Sequence, residues 1–321
     1  MPHKTNAGWL SELAGKNVAA PRRERLQDLI DSRPFWDSLA DLSDLPDGVQ
    51  IHEDVELWDR GESRLTAEIY VPEGPGPFPL LMHVHGGGYC VSRARNDRKW
   101  GMRVAERGFT VINPEYGLSP EHPFPWAVED CLYTARWFTK HAAEYNGDSS
   151  RLVLEGGSAG GGLSAATIVA ANGLANELDQ GDLADVELDI VAAILFYGMY
   201  SFPLLLLEPG SNVGSAELWN RAYLGPHFTT KIRHPLASMV YAPNLDRFPP
   251  TYLSCGHDDS FLGHTLELTK ALASAGAKAT LSVPEGLDHG YAKSWGNEDA
   301  QVEVDRAFEW LERKVPAAQS A

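Results

Sequence analysis

The stretch "GGSAG", Gly156 to Gly160, holds one serine among four small residues, after the apolar "RLVLE" and before the helical "LSAATIVAAN". This G-x-S-x-G spacing at a strand-to-helix turn suits a nucleophile. The chain must reverse within a few residues, so small neighbours let backbone approach. The Ser158 hydroxyl is then raised above a helix N-terminus that favours developing negative charge. A second glycine run, His85-Gly86-Gly87-Gly88, ends the strand "FPLLMHVH". Glycines there let amides point into a cleft that a Cβ would obstruct. Gly87 and Gly88, with Gly86 shaping the loop, and Ala159 just after the serine are the candidate oxyanion-hole donors.

A serine nucleophile needs a histidine base and an acid, expected in the order Ser, Asp/Glu, His. Among 11 histidines, His289 in "PEGLDHGYAKSW" stands in a glycine-bounded loop after the strand "KATLSVP". The acid is sought in "SCGHDDSFLGH", past the strand "PTYLSC", where Asp258 and Asp259 are adjacent. Other chemistries fit less well. A phosphate loop needs lysine after its last glycine, but Leu163 follows here. A dinucleotide fingerprint over Gly160, Gly162 and Ala165, with Glu177 or Asp179 beyond, places its glycines inside the helix. His83, His85, His257, Asp258 and His264 offer metal-ligand types, but there is no H-E-x-x-H, and His83 and His85 share a strand face with no acid nearby. No metal and no cofactor are expected. A purely structural glycine turn explains either motif alone, but not two motifs that each follow their own strand.

These residues need a scaffold of alternating strands and helices. "RLTAEIYVP", "FPLLMHVH", "FTVINP", "RLVLE", "IVAAILFY", "PTYLSC" and "KATLSVP" read as strands. Helices are expected in "RKWGMRVAER", over about Trp126 to Tyr145, from near Ser158, over Thr265 to Ala275, and from about Asp299 to Arg313. That alternation predicts a mostly parallel central sheet with helices on both faces. The first fifty residues read as short helices: "SELAGK", "RRERLQDLIDSR" and "PFWDSLADL". Residues 200–247, with a helix over Ala216 to Tyr223, interrupt the alternation after a strand's C-terminal end, where insertions cover active sites. A single domain over 1–321 is expected, with a helical cap or lid from about 1–50 and 200–247 on a core of about 51–199 and 248–315. Trp9, Phe35, Trp36, Phe202, Trp219, Tyr223 and Phe228 either shape a pocket in that lid or pack it onto the core.

Composition bounds the partners. Hydrophobic residues are 43% of the 321, enough for a substantial core, and the net charge of −17 argues against nucleic acid and anionic membranes. The uncharged run Ile190 to Leu207 is long enough to test as a membrane span. Gly198, Ser201 and Pro203 interrupt it and Asp189 and Glu208 flank it, so a buried strand over Ile190 to Tyr197 is expected, followed by an apolar segment that turns away. Three cysteines without C-x-x-C spacing, and an N-terminus without a long apolar region, point to a cytoplasmic protein.

The chain resembles the hormone-sensitive-lipase-like branch of the α/β-hydrolases, whose members carry HGGG and GDSAGG. "EYGLSPEHPFPWAVED" is similar to that branch's "YRLAPEHPFPAALED", and the similarity runs from about Arg64 to Arg313. It implies an α/β-hydrolase fold and a catalytic triad of Ser158, Asp259 and His289. The branch's G-x-x-D counts from Gly256 to Asp259, leaving Asp258 to cap a helix or face solvent, and "LDHGY" is similar to its "MxHGF". The implied activity is a serine carboxylesterase that hydrolyses small or short-acyl esters through an acyl-enzyme. Lactones, carbamates and amides suit the same triad. Non-catalytic receptors of this fold lack the histidine, and His289 favours an enzyme. Members often dimerise through the final strand and helix, so a homodimer is an open expectation. Three positions depart from the branch: Gly157 replaces the aspartate of GDSAGG, Gly117 the arginine of YRLAPE, and Phe261 a common leucine. The first two predict a repacked wall behind the nucleophile.

Overall fold

Alternation within single strands sorts side chains onto two faces of one sheet. A computed structural model of the protein describes residues 22–316 except 62, 179, 181, 182, 185, 187 and 206–212. Its strands are β1 (Val49–Asp59), β2 (Arg64–Pro72), β3 (Phe78–Val84), β4 (Thr110–Pro114), β5 (Gly147–Gly157), β6 (Ile190–Phe196), β7 (Thr251–Ser254) and β8 (Ala279–Ser282). They form one sheet in the order β1-β2-β4-β3-β5-β6-β7-β8. β2 runs antiparallel to both β1 and β4, and every later pairing is parallel.

On β3, Leu80, Met82 and Val84 face one core and Leu81 the other; on β5, Leu152 and Leu154 part from Val153 in the same way. The first face is covered by the helices Trp126–Lys140, Ala159–Val169 and Leu262–Ala275, through Val128, Leu132, Leu163, Leu268 and Leu272. The second is covered by Arg98–Glu106 and Glu298–Lys314, through Trp100, Val104, Val304, Phe308 and Leu311. The helix Ala159–Val169 carries no charge and is buried on all sides, as an all-apolar helix must be. The last helix is amphipathic. Asn297 caps it by accepting from the Ala300 N–H, with acids in its first turn and bases in its last.

β1 was not expected from the sequence. It is an edge strand rich in polar residues, and irregularities between His52 and Val55 and between Glu56 and Trp58 break the two-residue period that would reveal it. Ile190–Phe196 is a buried strand, and Phe202–Leu205 turns off it as a short helix. Among the described residues no helix is long and apolar enough to cross a membrane. The insertion continues as Val213–Leu224 and Phe228–Lys231. Leu26 and Leu29, from the helix Arg22–Asp31, pack with Trp36 and Trp219 against Cys90, Val91 and Ala222. The expected "SELAGK" helix, Trp9 and Glu208 lie outside the described residues.

Candidate active site

β5 ends in a forced turn. Ser158 has φ 58° and ψ −124°, a conformation that costs an L-residue strain, and the helix Ala159–Val169 starts at the next residue. Backbone contact holds it there. The Ser158 N–H donates to Phe196 O at 3.0 Å, and Ser158 O accepts from the amides of Gly162 and Met199. A Cβ on Gly160 would lie 1.9 Å from Val84 O, and one on Gly156 would lie 2.6 Å from Gly160 C. The glycines around the serine therefore serve close approach between β3 and β5.

Two loops from distant sequence meet the serine. His289 Nε2 is 2.9 Å from Ser158 Oγ, and His289 Nδ1 is 2.9 Å and 3.1 Å from the two carboxylate oxygens of Asp259. Asp259 is buried at 4% exposure and accepts from the Phe261 N–H, whereas Asp258 is exposed beside His257. The acid turn and the histidine loop are joined through backbone: Asp258 N–H donates to Leu287 O and His257 N–H to Pro284 O. Gly256 permits this, because a Cβ there would sit 2.0 Å from Leu287 O. The His289 ring has edge contacts with Tyr197 on one side and Phe261 on the other, with centroids at 5.1 Å and 4.8 Å. Phe261 thus contributes a ring to the imidazole's setting.

The loop Gly86–Gly88 lies alongside. A Cβ on Gly86 would be 3.5 Å from Ser158 Cβ and 3.1 Å from Gly157 O. Gly87 and Gly88 have φ +115° and +58°. Side chains are refused there for separate reasons: Val91 O stands 2.1 Å from a Gly87 Cβ, and the Trp219 ring 2.5 Å from a Gly88 Cβ. The loop is braced from outside by Tyr116, whose hydroxyl donates to His85 O at 3.0 Å and whose ring stacks on His85. Arg33 adds a strap, donating to Cys90 O and Ser119 O while pairing with Glu121. Burial holds the His85 imidazole down at about 4, so it is neutral near pH 7.

The residues offered as metal ligands do not gather. His85 stacks on Tyr116, His257 is exposed, and His264 packs on Phe261. The expectation of no acid near His83 is wrong: its ring lies between Glu155 (2.5 Å) and Asp97 (2.9 Å). Glu155 ends the apolar run "RLVLE" two residues before the end of β5, and a charge within a central strand was the available signal. Asp97 lies 14 residues beyond His83 in a 3-10 turn, and no local pattern marks it.

Gly117 has its own explanation. A Cβ there would meet Trp126 Cδ1 at 2.5 Å, and the Gly117 N–H donates to Asp130. The guanidinium that faces Glu129 and Asp130 comes from Arg60, at 2.5 Å and 2.7 Å, lying 3.6 Å above the Trp126 ring. Both sides of this pair are buried. Arg60 is some 70 residues from its partners, so sequence reading had no means to find it.

Comparison with known proteins agrees with this architecture. Residues 81–293 match a family described as alpha/beta hydrolase fold. The chain is similar to Lipase 2 of Moraxella sp. (strain TA144), 26% identical over 240 residues that cover 66% of this chain and 54% of that protein. It is similar to hormone-sensitive lipase of Bos taurus, 34% identical over 104 residues, 32% of this chain and 14% of the lipase. The chain thus spans about half the length of the first and a small part of the second. Among solved structures, Bacterial Heroin Esterase superposes with a TM-score of 0.77 at 28% identity, over 95% of this chain and 97% of that one.

Proposed function

Because the chain belongs to the α/β-hydrolase fold family, in its hormone-sensitive-lipase-like branch, we propose that it is a serine carboxylesterase acting on small or short-acyl esters. One observation carries this reading: Ser158 Oγ, His289 and the Asp259 carboxylate form an unbroken line of hydrogen-bond contacts. Ser158 attacks the ester carbonyl while His289 Nε2 takes its proton. Asp259, against Nδ1, holds the tautomer that leaves Nε2 free to accept and stabilises the imidazolium that forms. The tetrahedral oxyanion is held by the N–H groups of Ala159, Gly87 and Gly88, backbone donors that stabilise the charge as it develops. His289 then protonates the departing alcohol, and a water repeats the sequence to release the acid. These steps need no metal and no cofactor.

The described helices Arg22–Asp31 and Arg33–Asp37, with Val213–Leu224 from the stretch 200–247, form the lid of this site. Their contact at Trp219, beside Gly88, supports that reading. The experiment is a panel of p-nitrophenyl esters of rising acyl length, with lactone and anilide controls, alongside labelling by an organophosphonate serine probe. Turnover of the short esters and a phosphonyl group on Ser158 are expected. A chain that binds small acids but neither turns over nor labels is a receptor of this fold, and that result overturns the esterase reading.

A further inference from the structure

We propose that the string Lys293–Asp97–His83–Glu155, buried from Asp97 inward, positions the reacting groups, tying the loop of His289 to the strand that leads into Ser158. This rests on the esterase reading. Lys293 follows His289 by four residues, and its Nζ donates to Asp97 Oδ1 at 2.7 Å. Asp97 Oδ2 faces His83 Nε2 at 2.9 Å, and His83 Nδ1 faces Glu155 Oε2 at 2.5 Å. Glu155 precedes Ser158 by three residues and also accepts from the Trp100 indole at 3.0 Å. His83 and Glu155 are directly paired in the β3–β5 register, next to Val84 and Gly156, which run straight into the oxyanion loop and the serine turn. One string therefore reaches all three chemical parts of the site.

Its charge state follows from the geometry. A neutral imidazole has one donor and one acceptor, so two carboxylates against its two nitrogens would leave an acceptor facing an acceptor. One extra proton is therefore needed, and placed on His83 it makes the string alternate in sign along its length. Burial works against that charge, but Glu155 and Asp97 outweigh it and hold the imidazolium up to about 9. For Asp97, burial is likewise outweighed, and Lys293 and His83 keep it well below the usual carboxylate range. Three further groups near the string are uncharged at neutral pH: His85 on its own strand, the Trp100 indole, and the Tyr197 phenol, which burial raises well above 10. Gly157 has no side chain, so Glu155, two residues earlier on the same side of β5, is the carboxylate that moors the turn. When His83 loses its proton, the string breaks at its centre.

The test follows kcat for p-nitrophenyl acetate between about pH 6 and 10.5, beside the His83 ring titration read by NMR. Wild-type kcat should fall with a midpoint near that of His83, with KM steady within about two-fold. Glu155→Gln removes a negative neighbour and should lower both midpoints by about one pH unit or more; Lys293→Met removes a positive one and should raise them. Lys293→Arg should restore the wild-type profile. Lys293 is 39% exposed, so its variants keep the test open should Glu155→Gln fold poorly. A purely structural string lowers yield or Tm without moving midpoints in opposite directions, and unmoved kcat midpoints in active variants overturn the proposal. A wild type that hydrolyses no ester overturns the esterase reading instead, which is a distinct result.

Discussion

Tyr197 closes the space beside Gly157: a Cβ on Gly157 would lie 2.9 Å from Cε2 of the tyrosine ring and 3.2 Å from its hydroxyl. The wall behind the serine is thus built from an aromatic ring. Tyr197 itself has φ +36°, donates its N–H to Ser254 O, and packs on Phe196, His289 and Tyr291. A ring wedged on three sides cannot swing away cheaply. Gly157→Ala should therefore destabilise the protein by about 1–3 kcal/mol through overpacking, measured by urea unfolding. Gly157→Asp should be worse, because its larger side chain crowds Tyr197 further and adds a second carboxylate on the face of β5 that already carries Glu155. A gain in stability from either change would mean that the ring yields.

The two adjacent acids should separate cleanly. Asp259→Asn should lower kcat on the order of 10⁴, because the amide favours the wrong imidazole tautomer. Asp258→Asn, at an exposed side chain beside His257, should leave turnover near wild type. Steady-state kinetics on one activated ester decides between them, with Ser158→Ala as the reference for complete loss. The reverse ranking would move the acid by one residue.

Stability should carry the signature of His83. Its value rises from 6.5 to about 9 on folding, so its contribution is full below pH 6.5 and is lost as pH climbs through about 9. The total is about 3 kcal/mol. Urea midpoints should fall over that window, and the difference between wild type and a His83→Phe/Glu155→Leu double variant should narrow as pH rises. A constant difference would show that His83 is not charged in the folded protein.

Arg60 should matter for stability in spite of its place in a connecting turn. Arg60→Met takes the guanidinium away from two buried carboxylates, Glu129 and Asp130, at a cost of about 3–5 kcal/mol. Adding Gly117→Arg to that variant should not rescue it, since Trp126 already occupies the room. Thermal unfolding of the single and double variants checks both statements.

The Trp219 ring stands over Gly88, so it should limit the acyl chain that reaches the serine. Trp219→Ala should raise kcat/KM for octanoyl relative to acetyl esters by about ten-fold or more, the worth of at least one methylene in an apolar pocket. An unchanged acyl profile would place the limit elsewhere.

The fold was legible because strand and helix periods survive in a single chain: a continuous apolar run such as "FPLLMHVH" and an uncharged helix after "GGSAG" each admit one reading. The motifs likewise singled out Ser158, His289 and the glycine loop, since each needs particular residue types at short spacing. β1 escaped because an edge strand with bulges keeps neither period. Local sequence cannot order contacts between residues far apart. Asp258 and Asp259 are chemically identical neighbours, and only the packing of the histidine loop buries one under His289 and leaves the other in water. Glycines at 117 and 157 read as losses until the tertiary structure fills their places with Trp126 and Tyr197. The charges at Arg60, Asp97 and Lys293 carry no local pattern. Their roles come from partners that the folded sheet brings together, where burial of Asp97, Glu129 and Asp130 makes each pairing count.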